Sequence, residues 1–198
     1  MSITEEKLNK NYLLWIEYLK KYECYSEELI NDYGDKIKNG SFAMNENSGS
    51  AYQGSLLDVV LTTLCVIATH INDGAFGMND KNKLKHQFLH VDKKSLMRVL
   101  LLQHISKADL FVPVNEQWKI SKGYFYDFNN NLETSLKLGE RSIFMCMRYG
   151  ISLNEEEYEA MRILDKDEDK TNSFMTPLAE IVKIANQLTA IECYRKNT

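Results

Sequence analysis

The chain has 198 residues, of which 44% are hydrophobic and 26% are charged, as in an ordinary globular protein with one sizeable core. Its formal net charge at pH 7 is −4, which gives no electrostatic argument for a nucleic-acid partner. The longest apolar stretch, residues 59–68, is too short to cross a membrane, and residues 1–21 carry too many charges for a signal peptide. We therefore expect a protein that is made in a cytoplasm and has no membrane partner.

Apolar residues at helical spacing predict helices in the first third of the chain. One helix is expected over residues 4–22, with Thr4 as its N-cap, and a second from Ser26 to Asn39. A polar loop is expected over residues 42–53, and residues 54–71 are apolar enough for a long buried helix. The first third is therefore predicted to be helical on both sides of one polar loop.

The centre of the chain is predicted to form one continuous helix. Asp92 is a suitable N-cap, and residues 98–112 form an amphipathic run that stops before Pro113. A polar pair, Gln103 and His104, lies in the middle of this run. Polar side chains in a buried helix must find partners or do chemistry, because leaving them unsatisfied costs free energy. This pair is therefore the first candidate for a functional site.

An aromatic segment after the central helix predicts a small β-hairpin. Its strands are expected at residues 118–120 and 124–128, on either side of a short turn at Ser121–Gly123. Alternate side chains of a two-stranded ribbon face opposite ways, so one aromatic set packs on the domain and the other is exposed. The candidates for a surface that contacts a partner are Trp118, Tyr124 and Tyr126.

Three further helices are predicted after the hairpin. They are expected over residues 136–149, from Asn154 to about residue 164, and over residues 178–194. Gly150 can end the first of them, and Glu157 lies where it completes a capping box for the second. The sequence contains no repeat and no interdomain linker, so it predicts one mainly α domain with a small β-hairpin.

Several segments resemble the motifs of HD-domain phosphohydrolases. Residues 101–111, LLQHISKADLF, are similar to the signature helix of that family, L-L-H-D-x-x-K-A. Four further segments are similar to family motifs. Residues 52–59 are similar to Y-x-G-G-L-x-x-H and residues 138–142 to H-G-E-K-S. Residues 160–164 are similar to A-I-R-W-H, and residues 177–186 to P-L-A followed by A-D. The resemblance implies an all-α, HD-like helical bundle over residues 52–198. Residues 1–51 would add N-terminal helices and a polar loop to the same domain.

The framework of this family is kept, whereas every metal-ligand position departs from its pattern. Three of these positions carry apolar residues without a donor atom, two carry neutral amides, and one carries a histidine. They are Val59, Leu138, Leu164, Gln103, Asn186 and His104. A single imidazole cannot hold a catalytic metal, for which three protein ligands are usual. The resemblance therefore implies a pseudoenzyme, with no catalytic residue, bound metal or cofactor.

The resemblance extends to HD-derived proteins of large tailed bacteriophages. It rests on residues 52–57, on Gln103 and His104 in place of the motif pair, and on the aromatic hairpin. It implies a non-catalytic structural or interaction protein, such as a tail or neck component of the virion, made in the bacterial cytoplasm. Its partners would be proteins, in a homo-oligomer or a larger assembly.

Two other functions stay open at this point. A metal-dependent phosphohydrolase acting on a nucleotide or phosphoester would need ligands rebuilt from other positions. The candidates for such ligands are Asp58, His104, Lys107, Asp109 and Glu140. A nucleotide-binding or phosphate-binding regulator would instead hold its ligand at the emptied pocket through Lys107 and Arg141.

The histidines also allow simpler interpretations. His104 is well explained as a core histidine that is hydrogen-bonded to a neighbour such as Asn186. Residues 86–90, HQFLH, resemble the zinc motif H-E-x-x-H, but Gln87 replaces the glutamate that acts as the general base. A metal bound there would lack its base, so we expect an ordinary surface segment.

Overall fold

The computed structural model describes residues 3–72, 91–165 and 175–195. The first two helices are α1, Glu5–Lys21, and α2, Glu27–Asn39. Thr4 and Ser26 begin them as predicted, since each hydroxyl accepts a hydrogen bond from the amide three residues further on. Acidic residues lie in both first turns and lysines in both last turns, which favours each helix through its dipole.

Further helices follow along the chain. They are α3, Ser55–Asn72; α4, Lys93–Leu102; α5, Lys107–Leu110; α6, Gln117–Ile120; α7, Leu138–Arg148; α8, Glu155–Arg162; and α9, Pro177–Arg195. Short 3-10 turns lie at Glu46–Ser48 and Ile163–Asp165. The predicted capping residue of α4, Asp92, accepts a hydrogen bond from the amide of Ser95 at 2.8 Å.

Two short strands complete the fold. They are β1, Phe111–Pro113, and β2, Tyr126–Phe128, which pair antiparallel. The prediction of a mainly α fold with a small β-hairpin is therefore confirmed. Within the described ranges, no helix combines the length and the apolar content needed to span a membrane.

The hydrophobic core forms around α3 and α4. α3 packs against α1, α2, α4 and α9, and α9 also packs against α8. The last four residues of α4, Val99 to Leu102, are all fully buried. Trp15 of α1 is buried with them and donates from its indole Nε1 to the carbonyl of Leu101 at 3.3 Å. The core thus contains residues from the first and the last helix.

A buried ion pair joins α4 to α8. Arg98 Nε donates to Glu157 Oε1 at 2.8 Å, and both side chains are almost fully buried. The guanidinium also donates to the carbonyls of Glu23 and Ser152, which satisfies further donors that burial removes from water. Glu157 in turn completes the predicted capping box with Asn154. The pair therefore connects α8 and the end of α1 to the central helix.

The central helix is shorter than predicted. α4 ends at Leu102, and residues 103–106 form a turn before the four-residue helix α5. In this turn the amide of Ser106 donates to Ser142 Oγ at 3.3 Å, and Ser142 Oγ lies 2.9 Å from the carbonyl oxygen of Gln103. The hydroxyl of Ser142 on α7 is therefore the hydrogen-bond partner of one backbone amide and one backbone carbonyl, which a continuous helix would pair within itself. The prediction of one helix over residues 98–112 was wrong for this reason.

The hairpin begins earlier than predicted. β1 pairs with β2 so that Phe111 lies opposite Phe128, with ring centroids 5.6 Å apart. Trp118 belongs instead to α6, whose Lys119 forms an ion pair with Asp127 of β2. A strand at the position of α6 was therefore a wrong prediction. Three residues cannot show whether an apolar pattern has the period of a strand or of a helical turn.

Candidate functional site

Polar side chains in the turn between α4 and α5, and at the first residue of α5, are buried in the core. They are Gln103, His104, Ser106 and Lys107. We call residues 103–107 the polar turn. Burial of several polar groups in one place is stable only where each of them finds partners. The partners here come from α9, from α7 and from the loop before α3.

The side-chain amides of Gln103 and Asn186 pair reciprocally. Gln103 Nε2 donates to Asn186 Oδ1, and Asn186 Nδ2 donates to Gln103 Oε1, both at 3.0 Å. The pair connects the polar turn to α9. It also engages both amide oxygens, which are the only atoms of these side chains that could bind a metal. Two of the six positions at which the resemblance places metal ligands are thus brought together, and their side chains are hydrogen-bonded to each other.

A pair of serines connects the polar turn to α7. Ser106 Oγ donates to the carbonyl of Leu138 at 3.0 Å, and Ser142 Oγ lies 2.8 Å from Ser106 Oγ. Leu138, a third predicted pocket position, therefore takes part through its backbone. Val59 is buried on α3, and Leu164 lies half-buried in the turn after α8. Neither of these two side chains carries a polar atom.

His104 is buried against Phe42 and hydrogen-bonded to Asn186, as its simpler interpretation predicts. The rings of His104 and Phe42 meet edge to face, with centroids 4.8 Å apart. Burial lowers the pKa of His104 well below its usual value, nearby Lys107 lowers it further, and the bond to Asn186 acts the other way. The imidazole is therefore neutral at pH 7. Its Nδ1 has no hydrogen-bond partner in the part of the chain that the structure describes.

Lys107 is a buried amine that forms no ion pair within the described ranges. Its Nζ donates to the carbonyl of Phe42 at 2.8 Å and lies 3.3 Å from the centroid of the Phe42 ring. Burial lowers the pKa of Lys107 to about 7. No sequence signal selected Phe42 as a partner, because it begins a polar loop far away in the sequence.

Arg141, the second predicted phosphate contact, donates from Nη2 to the carbonyl of Thr134 at 2.6 Å. The start of α7 beside it already binds a carboxylate. Asp165 accepts hydrogen bonds from the first amides of α7 at 2.7 and 2.8 Å, where the helix dipole favours a negative charge. A phosphate at this helix start would have to displace Asp165. Lys107 and Arg141 thus both donate to protein carbonyls.

The carboxylates considered as rebuilt metal ligands have other partners. Asp58 and Asp109 each bind a lysine and a tyrosine hydroxyl, and Glu140 caps the start of α7. Among the described residues, no group of three or more His, Cys, Asp or Glu side chains could hold a metal ion. The HQFLH segment at residues 86–90 lies outside the described residues.

The predicted partner surface is partly exposed. Trp118 on α6 is 59% exposed and Tyr124 is 43% exposed. Tyr126 of β2 is half-buried and therefore less exposed than predicted. This burial raises the pKa of its phenol. Phe125 and Phe128, which the sequence did not single out, are exposed instead. We call Trp118, Tyr124, Phe125 and Phe128 the aromatic surface.

The chemistry available at the polar turn is therefore hydrogen bonding within the protein. Its amides bind each other, its imidazole is neutral, and its amine binds a backbone carbonyl. Comparison with known proteins adds no relative, since no family model, curated protein or solved structure matches the chain.

Replacing Gln103 or Asn186 by leucine is expected to lower the free energy of unfolding by about 1–3 kcal/mol, because the other amide loses its partner. The Asn186→Leu change should cost more, since it also removes the bond to His104. The loss of unfolding free energy in the double variant should be smaller than the sum of the two single losses by at least about 0.5 kcal/mol. Urea unfolding followed by circular dichroism measures all three losses. The exposed amide pair Gln53–Asn39 is the control, with a coupling near zero. Additive losses at Gln103 and Asn186 would contradict the pairing.

Lys107 is expected to make the free energy of unfolding rise with pH above neutrality. Its pKa is about 7 in the folded chain against an ordinary 10.5, so between these values only the unfolded chain holds the proton. Relative to Lys107→Met, wild-type stability should therefore increase by up to about 1.4 kcal/mol per pH unit above about pH 7. Below that pH the difference should stay constant.

Urea unfolding at a series of pH values measures this difference, and the comparison cancels the titration of buried cysteines and tyrosines. The control is Lys10→Met, which removes an exposed lysine of α1 and should follow the wild-type curve. Parallel curves for wild type and Lys107→Met would show that Lys107 keeps an ordinary pKa.

Proposed function

We propose that this chain is a non-catalytic HD-like domain that serves as a structural or interaction subunit. The observation that carries the proposal is the closed arrangement at the polar turn. Where the resemblance to HD-domain phosphohydrolases places metal ligands, Gln103 and Asn186 bind each other and His104 packs against Phe42. A catalytic metal needs about three protein ligands, and here the two amides are engaged with each other, which leaves one imidazole nitrogen, Nδ1 of His104, without a partner among the described residues.

The aromatic surface supports an interaction role, because clustered exposed aromatic side chains are typical of contact sites. The strand edges beside it are closed to a further strand. The amide of Tyr126 donates to the carbonyl of Met44 at 3.1 Å, that of Phe111 donates to the carbonyl of Lys107, and Pro113 has no amide proton. A partner would therefore contact side chains rather than pair with the sheet.

A more specific proposal follows from the resemblance to HD-derived proteins of tailed bacteriophages. The chain would be a component of a phage tail or neck, made in the bacterial cytoplasm and assembled into the virion. Virion subunits meet copies of themselves or other virion proteins in symmetric arrangements, which requires a partner surface. The support for this step is the sequence resemblance at residues 52–57, at Gln103 and His104, and in the hairpin.

The non-catalytic proposal predicts that the purified protein retains no catalytic metal. After incubation with manganese, iron or nickel, elemental mass spectrometry should find far less than one ion per chain, because His104 is the one strong ligand among the six positions that the resemblance assigns to the metal site. Cys65→Ser controls for metal bound by an exposed thiol. One ion per chain that is lost in His104→Ala and kept in Cys65→Ser would favour a phosphohydrolase instead.

The interaction proposal predicts self-association through the aromatic surface. In sedimentation velocity, the wild type should form oligomers that shift towards monomer when Trp118 and Tyr124 are both replaced by serine, because large buried aromatics dominate interface energies. The control replaces Phe144 and Met147 of α7 by serine. These two side chains are 54% and 66% exposed. A monomeric wild type, or an equal loss in both variants, would argue against a homo-oligomer built on this surface.

A further inference from the structure

Lys107 and Ser55 fix the backbone of Phe42 from two sides. The carbonyl of Phe42 accepts a hydrogen bond from Lys107 Nζ, and its amide donates to Ser55 Oγ, both at 2.8 Å. The ring of Phe42 lies over the same amine. The start of the loop before α3 is therefore held by α5 on one side and by α3 on the other.

The same loop is bonded to the hairpin region a few residues later. The carbonyl of Met44 accepts hydrogen bonds from the amides of Phe125 and Tyr126, at 2.9 and 3.1 Å. The amide of Glu46 donates to the carbonyl of Gly123 at 2.9 Å. An isolated β-bridge lies between these two contacts. Residues 44–46 thus run beside residues 123–126, which carry Tyr124 and Phe125 of the aromatic surface.

The contact between the two segments is close. Gly123 has a φ of +80°, and a Cβ at this position would lie 2.6 Å from Glu46 Oε1. Glycine therefore permits the backbone conformation, and the side chain of Glu46 lies against it. A hairpin with three-residue strands is marginal on its own, so its position depends on the segments to which it is bonded.

We infer that Lys107 is a positioning residue for the aromatic surface, acting through Phe42 and residues 43–46. The inference rests on the proposed function, since the position of this surface matters if it contacts a partner. A methionine in place of Lys107 would fill similar space without burying an amine, but it could not bind the carbonyl of Phe42. The neutral amine still donates a hydrogen bond, so the anchor is present in both protonation states of Lys107.

Hydrogen exchange of the full chain tests the inference. In Lys107→Met, exchange at the amides of Glu46, Phe125 and Tyr126 should accelerate by about tenfold, because these bonds open when their support is lost. Amides of α1 should exchange at the wild-type rate. The control is Lys36→Met, which removes a lysine that likewise lies over a ring and donates a hydrogen bond, and it should leave the three amides unchanged.

A second variant decides the inference if Lys107→Met does not fold. Phe42→Leu removes the ring contact and keeps the carbonyl bond, so it should give a smaller acceleration at the same amides. Unchanged exchange at the hairpin in the folded variant would overturn the inference. Equal acceleration along the whole chain would also overturn it, because Lys107 would then act on general stability. Exchange is measured at a concentration at which wild type and variants are all monomeric, so that assembly does not protect the same amides. A monomeric wild type at every concentration would refute the homo-oligomer while leaving this test intact.

Discussion

The burial of polar side chains between α4 and α5 is the constraint on which the surrounding arrangement depends. A buried donor or acceptor left unpaired costs about 1–3 kcal/mol, so the groups that do pair here each specify a neighbour. Gln103 requires α9, Ser106 requires α7, and Lys107 requires the loop before α3. Three segments that are distant in sequence are thereby fixed relative to one turn. Residues that resemble a metal-binding motif thus orient the elements packed around them.

Local signals were sufficient wherever the end of an element depends on adjacent residues. Thr4 and Ser26 begin helices because their hydroxyls bind an amide three residues away, and such pairs can be recognised in any sequence. Gly150 ends α7 at a φ of +70°, which glycine adopts without a steric penalty. The break at Gln103 could not be predicted in this way, because it depends on Ser142, a residue of another helix.

The candidate site was predictable in its amides, its histidine and its lysine, and not in Ser106 or Phe42. Motif order located Gln103, His104 and Asn186, which the fold does bring together. Phe42 could not be located, because a phenylalanine at the start of a polar loop belongs to no periodic pattern. The partner surface was predicted from the alternation of a strand. Exposure followed a different pattern because Trp118 lies in a helical turn, which leaves it in solvent while Tyr126 is half-buried.

The loop carbonyl that covers β2 also limits how copies of this protein can accumulate. Fibrils grow by repeated strand pairing, which needs a row of free amides and carbonyls at a sheet edge. Met44 occupies that edge at β2, and Pro113 interrupts it at β1. Contacts made by side chains alone depend instead on the geometry of the surfaces that meet, and they form closed rings or open helices according to the rotation between copies. The loop thereby disfavours growth of this chain by strand pairing and leaves its association to the surfaces formed by side chains.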